Sequence, residues 1–169
     1  MKEPDIRLRA LELEDLDFLY QIENDDRLWE LGVSNVPYSR RVLLDYISSA
    51  SADIYVDKQV RLIVENDRHE QVGILDLVDF DPRHRRAELG IVIKKEFQGQ
   101  GYATASVVRL LQYARNILHL HQVYAIVAER NEKVAKLLQS VGFEGDNILK
   151  QWLYCRDGYE NAIFFQYFL

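Results

Sequence analysis

Phe97-Gln98-Gly99-Gln100-Gly101-Tyr102-Ala103-Thr104 stands between two segments of different periodicity. Before it runs Ala87-Glu88-Leu89-Gly90-Ile91-Val92-Ile93, a strand-like apolar stretch, and after it a helical pattern extends from near Thr104 to residue 118. A strand, a glycine-rich turn and a helix start converge backbone N–H groups on one point. The positive end of the helix dipole adds to them, and the result is an anion cradle. Gly99 and Gly101 admit φ > 0 or a close approach to a phosphate at little steric cost. The order of residues is not that of the dinucleotide fingerprint, and no lysine follows as in a P-loop.

Working outward, Ile6-Arg7-Leu8-Arg9 alternates as a first strand. Residues 13–24 place Leu16, Leu19, Tyr20 and Glu23 at helical spacing. Pro37 breaks the chain, and Ser39 caps a second helix to about residue 52. Residues 60–65 and 71–80 read as two strands around the turn 66–70, and 86–93 as a fourth. Residues 122–128 form a fifth strand. The helix opened by Asn131 carries Val134, Leu137, Leu138 and Val141 on one face, with Gly142 as its C-terminal cap. Residues 148–155 and 159–168 pair as a hairpin around Asp157-Gly158. This order predicts an α+β fold, a central mixed β-sheet flanked by helices, in a single domain over residues 1–169.

Composition narrows the function. The 169 residues hold 48% hydrophobic and 28% charged residues, ordinary for a globular chain that buries a sizeable core. With 21 Lys+Arg against 27 Asp+Glu the net charge is −6, which argues against nucleic acid and suits a cationic amine. The single cysteine, Cys155, excludes an internal disulfide and an all-cysteine metal site, and reads as a packed thiol. His69, His84, His119 and His121 have no metal-ligand spacing, so no metal is expected. No signal peptide and no apolar run of about 18 residues is present, so no membrane partner and a cytoplasmic location are expected.

Three segments taken together carry a family resemblance. They are His84-Arg85-Arg86-Ala87-Glu88-Leu89-Gly90-Ile91, the Gln98–Thr104 turn, and Asn131-Glu132-Lys133-Val134-Ala135-Lys136-Leu137-Leu138-Gln139-Ser140-Val141-Gly142-Phe143. The chain resembles the GNAT superfamily of acyl-CoA-dependent N-acetyltransferases over essentially its whole length, most densely over residues 72–143. Within it the chain is similar to the branch of bacterial spermidine and ribosomal-protein alanine N-acetyltransferases. The resemblance implies acetyl-CoA as co-substrate and a primary amine as acceptor. Ile91, Val92 and Ile93 would bond the pantetheine arm strand-fashion. Gln98, Gly99, Gln100, Gly101, Tyr102, Ala103 and Thr104 would cradle the pyrophosphate, and Asn131 would bond the arm where two parallel strands splay apart. Asn131 also reads as a helix N-cap, which is compatible with that contact.

Acyl transfer also needs a polarised carbonyl, a deprotonated amine and a proton for the leaving thiolate. A backbone N–H near Ile91–Ile93 can polarise the carbonyl. Alkyl amines have pKa near 10, so a base helps at neutral pH. Glu88, in a half-buried strand, is the first candidate, with a salt bridge to Arg85 or Arg86 as its other reading. Asp79 ends the third strand in register with the same cleft, where the related enzymes are also acidic and bind cation. Its other reading is a solvated strand end.

The related enzymes place a general-acid tyrosine seven residues after Asn131, but this chain has Leu138, and Tyr102, Tyr124 and Tyr154 are open substitutes. The acidic cluster that precedes the Pro-Tyr pair in the spermidine enzymes is missing from Val33-Ser34-Asn35-Val36-Pro37-Tyr38. Glu23, Asp25, Asp26 and Glu30 can supply negative charge nearby, and Trp29 either walls the amine pocket or packs. Cys155 has no evident base partner, so no acyl-enzyme is expected. The expected function is acetyl transfer to a small amine or polyamine by direct attack. A protein N-terminal α-amine as acceptor and a catalytically weak acyl-CoA-binding module are the alternatives. The apolar, aromatic stretch 162–169 is either central to the sheet or part of a homodimer interface.

Overall fold

The computed structural model describes residues 4–29 and 36–169. In chain order it contains β1 (Ile6–Ala10), α1 (Leu16–Glu23), α2 (Asp26–Trp29), α3 (Arg40–Ser49), α4 (Ile54–Asp57), β2 (Val60–Asn66), β3 (Gln71–Asp81) and β4 (Arg86–Ile93). Then follow α5 (Tyr102–Asn116), β5 (Gln122–Ala128), α6 (Glu132–Val141), β6 (Glu144–Cys155) and β7 (Gly158–Phe168). All seven strands form one sheet in the order β1-β2-β3-β4-β5-β7-β6. Every pairing is antiparallel except β4 with β5, the pair that α5 crosses over to connect. The aromatic C-terminal strand is therefore interior, paired with β5 on one side and β6 on the other.

The helices start and stop where local chemistry allows. Ser39 Oγ accepts the Val42 N–H at 3.2 Å, satisfying a free donor at the start of α3. Asn131 Oδ1 does the same for Val134 N–H at 3.3 Å, and Gly142, at φ +109°, ends α6. Helix α5 begins at Tyr102, two residues earlier than its apolar pattern suggests, because Gly101 at φ +87° turns the chain into it. The short helices α2 and α4 carry too few residues to show periodicity.

Strand alternation divides the sheet into two faces. One packs on α5 and α6: Leu75, Leu77, Ala87, Leu89, Val123 and Phe165 meet Val107, Leu110, Leu111 and Leu138 in the main core. Fully burying each of the Leu, Val and Phe side chains stabilises the fold by about 1.5–3 kcal/mol. On the other face, Phe18 and Leu19 of α1 and Leu43 and Ile47 of α3 cover Ile63 and Ile74 of β2 and β3. Among the described residues that apolar cluster meets the sheet at β2 and β3. A further tie near β1 joins residues far apart in the sequence. Asp15, 1% exposed, accepts from Arg9 at 2.8 and 2.9 Å and from Gln71 at 2.5 Å. Burial pushes its carboxyl up, but those bonds outweigh it and hold it below the usual carboxylate range.

Candidate active site

The ladder between β4 and β5 is only three rungs long: Arg86 with Gln122, Ala87 with Val123 and Glu88 with Tyr124. Beyond Glu88 the strands part, while β4 stays paired with β3 through Ile93. The Lys94 N–H donates to Val72 O at 2.9 Å, so by alternation the N–H groups of Ile91 and Ile93 face the β5 side of the strand. A gap edged by backbone donors can take an extended amide chain as a short extra strand and can polarise a carbonyl. The side chains of Ile91 and Ile93 pack against the main core, which holds that edge rigid.

Glu88 stands at the throat of the gap. By strand alternation it lies on the face opposite α5, as do Gly90 and Val92. Burial pushes its carboxyl above the ordinary glutamate range, and the charge of Asp79 pushes the same way, while the Ile126 backbone N–H pulls it down. The expected alternative, a salt bridge from Arg85 or Arg86, is not seen among the described residues; Arg86 pairs with Asp81 at 3.4 Å. Asp79 sits in a β-bulge where pairing with β4 shifts between Val78 and Asp81, and it is held at φ +50°. Bulges and positive φ at a non-glycine residue re-aim a side chain at some cost. Here they bring a second, exposed carboxylate near the first.

The glycine turn has the conformation its sequence implies: Gly99 is at φ +75° and Gly101 at φ +87°. A Cβ on Gly101 would sit 3.2 Å from Pro4 Cδ. Gln98 ties the turn down, donating from Nε2 to Ile93 O at 2.9 Å and accepting from Lys133 Nζ at 3.0 Å. Gln100 donates to Glu96 O at 2.7 Å, and Tyr102 packs edge-on against Phe97. Ala103 and Thr104, in the first turn of α5, are half-buried. Asn131 spends Oδ1 on its own helix. An open cleft of about 430 Å³ runs from this turn past Val92, Ile93 and Lys94 to Ile22, Asp25 and Leu28 of α1, α2 and their link.

Sequence reading missed the polar cluster beneath α1 and α3. Arg61 donates to both carboxylate oxygens of Asp76, at 2.7 and 3.1 Å, and to Glu23 Oε1 at 2.5 Å. Burial works against its charge, but Asp76 and Glu23 outweigh that and hold the guanidinium above its usual range. Tyr46 lies under it, 5.6 Å from the guanidinium carbon to the ring centroid. Asp76 pairs with Gly90 across β3 and β4, so this cluster abuts the gap. The only hint in the sequence was a charged residue inside each of two strands.

Two of the acidic residues expected to supply negative charge near the amine have arginine partners. Glu23 is bound to Arg61, and Asp25 accepts from Arg27 at 2.6 and 2.8 Å. Trp29 is half-buried, donates to Glu23 O at 3.0 Å and does not line the cleft. Glu30 and residues 33–35 lie outside the described residues. Leu138 is 1% exposed and belongs to the main core. Among the described residues no group of three or more His, Cys, Asp or Glu could hold a metal.

These features agree with known proteins. Residues 5–144 match the acetyltransferase (GNAT) domain family. The spermidine N(1)-acetyltransferase of Escherichia coli (strain K12) is 32% identical over 158 residues, 94% of this chain and 83% of that protein. The crystal structure of spermidine N-acetyltransferase from Vibrio cholerae in complex with CoA and spermine aligns with TM-score 0.85 at 29% identity, over 96% of this chain and 95% of that one. A dodecameric structure of the Vibrio cholerae enzyme in an intermediate state aligns with TM-score 0.82 at 29% identity, covering 96% and 93%. With its splayed parallel strands, glycine turn and helix-flanked seven-stranded mixed sheet, the chain has the GNAT fold and belongs to the GNAT family of acetyltransferases.

Proposed function

We propose that this chain, as one domain over residues 1–169, transfers the acetyl group of acetyl-CoA to a primary amine by direct attack, with a small amine or polyamine as acceptor. The observation that carries the reading is the parting of β4 and β5 immediately after Glu88. The pantetheine arm lies along the free β4 edge at Ile91–Ile93 and meets Asn131 across the gap. The pyrophosphate rests on residues 98–104 at the start of α5, where backbone donors and the helix dipole favour negative charge.

The thioester carbonyl takes a hydrogen bond from the backbone on the β5 side of β4. The amine enters from the face carrying Glu88 and Asp79. Asp79 holds the cation, and Glu88, with its raised pKa, removes a proton as nitrogen attacks carbon. Collapse of the tetrahedral intermediate breaks the C–S bond and leaves the amide and CoA. Net charge −6 favours the approach of a cationic acceptor. The relatives named for spermidine, and the one bound to spermine, support a polyamine.

The reading includes a cytoplasmic homodimer. No helix among the described residues is long and apolar enough to cross a membrane. The β6–β7 hairpin exposes Ile148, Trp152 and Tyr159, more than half of each, which supports a protein interface there.

Thiol release from acetyl-CoA tests the function, across spermidine, spermine, simple diamines and peptides with free N-termini. Release with polyamines and not with peptides is expected. Release only with peptides would make the chain a protein N-terminal acetyltransferase. No release with any amine while CoA still binds would leave an acyl-CoA-binding module.

A further inference from the structure

The departing thiolate needs a proton, and the face of α6 turned to the core offers none: Leu138 is buried among apolar residues. The structure discriminates among the chain's tyrosines. Tyr102 packs against Phe97 beside the main core, and Tyr154 is 73% exposed at the end of the hairpin. Tyr46 accepts from Gln59 Nε2 at 3.2 Å beneath Arg61.

Tyr124 differs from all of these. It is the last β5 residue paired with β4, directly opposite Glu88, and the strands part after it. Paired residues of parallel strands share a face, so Tyr124 lies on the Glu88 side of the sheet. Its ring is stacked on Phe164, centroids 5.3 Å apart and planes 24° from parallel. Phe164 pairs with Ile126, two residues further along β5. Phe164 stands on the β7 side of β5, away from β4, so it braces the half-buried ring from behind, and the other side of the ring is turned to Glu88 across the last rung before the gap. Burial first, then the charges of Glu88 and Asp79, keep the phenol above its ordinary range, with Arg86 opposing. It carries its proton at neutral pH.

Resting on the acetyltransferase reading, we propose that the Tyr124 hydroxyl donates the proton to the CoA sulfur as the C–S bond breaks. Once the acceptor ammonium has released its extra proton to solvent and the nitrogen attacks as the neutral amine, the balance closes within the pair. Glu88 takes one proton from the attacking nitrogen, and Tyr124 gives one to sulfur. The proton on Glu88 then passes to the phenolate across the shared rung, directly or through a water. The products are amide and neutral thiol, and both side chains return to their starting states.

The test compares Tyr124→Phe with wild type on two donors, acetyl-CoA and S-acetyl-4-nitrothiophenol, whose thiol is acidic enough to leave without help. Phenylalanine keeps the stack on Phe164, and CoA affinity and Tm report that the fold and donor site are intact. A general acid predicts a roughly 100-fold loss of kcat with acetyl-CoA and a rate within roughly threefold of wild type with the aryl donor. An equal loss with both donors, or no loss with either, overturns the assignment while wild-type turnover keeps the function standing. A wild type that releases no thiol from acetyl-CoA with any amine overturns both.

Discussion

The two faces of the sheet are built on different terms. Toward α5 and α6, Leu75, Leu77, Ala87, Leu89 and Phe165 close against helices through apolar contact alone. On the opposite face, β2, β3, β4 and β5 carry Arg61, Asp76, Glu88 and Tyr124. Polar side chains persist there because Arg61 is shared by two carboxylates and Glu88 sits at the mouth of a gap. One face supplies the stability that lets the other hold groups in costly protonation states. The comparison predicts that changes on the first face alter stability with chemistry intact, and that changes on the second alter acceptor use.

The largest stability effect is expected where that division is least obvious. Arg61→Met leaves Glu23 and Asp76 facing each other without a cation, and removing one partner from a largely buried ion cluster costs about 3–5 kcal/mol. Urea unfolding measures the loss, and the amine KM rises while CoA affinity holds. A change in CoA affinity with no change in amine KM would break the comparison.

Leu138→Ala leaves a cavity in the closed core and should cost about 2–5 kcal/mol. Turnover per folded molecule should hold at low temperature. A loss of kcat without a loss of stability would give Leu138 a chemical role and invert the division.

Gly101→Val forces a β-branched residue to φ +87° with its Cβ against Pro4. The strain is roughly 1–3 kcal/mol, enough to weaken CoA binding by about 5- to 150-fold. Calorimetric titration with CoA checks it, and amine KM should stay put.

Glu88→Gln has the smallest effect on stability and a defined sign. Glu88 titrates higher in the fold than in the unfolded chain, so the fold binds the extra proton between the two values. Stability therefore falls as pH rises through that window, and above it the buried carboxylate is a cost. Glutamine removes the cost. Its thermal stability at neutral pH should equal or exceed that of wild type, with the advantage vanishing in acid.

Much of this division was legible in the residues. Period-2 and period-3.6 patterns gave away β4, α5, β5 and α6, and Gly99, Gly101 and Asn131 announced a turn and a cap by their own chemistry. Glu88 stood out as a carboxylate in an apolar strand. What stayed hidden depends on distant pairing. Arg61 meets Glu23 across 38 residues, and Asp15 meets Gln71 across 56. Nothing local marks either pair. The insertion of β7 between β5 and β6 is likewise a choice of strand neighbour, which alternation within one strand cannot express. Glu23 shows the same dependence on distant pairing, since its arginine lies 38 residues away, whereas Asp25 meets Arg27 only two residues on.

The central claim is that the gap after Glu88 is a reaction centre and Glu88 its base. The direct measurement is kcat/KM for amine acetylation across pH, for wild type and Glu88→Gln. The wild-type rate should fall in acid through a midpoint above the ordinary glutamate value. Glu88→Gln should lose that limb and run about 10²–10⁴-fold slower at neutral pH. A variant with the wild-type rate and an unchanged acid limb would contradict the account.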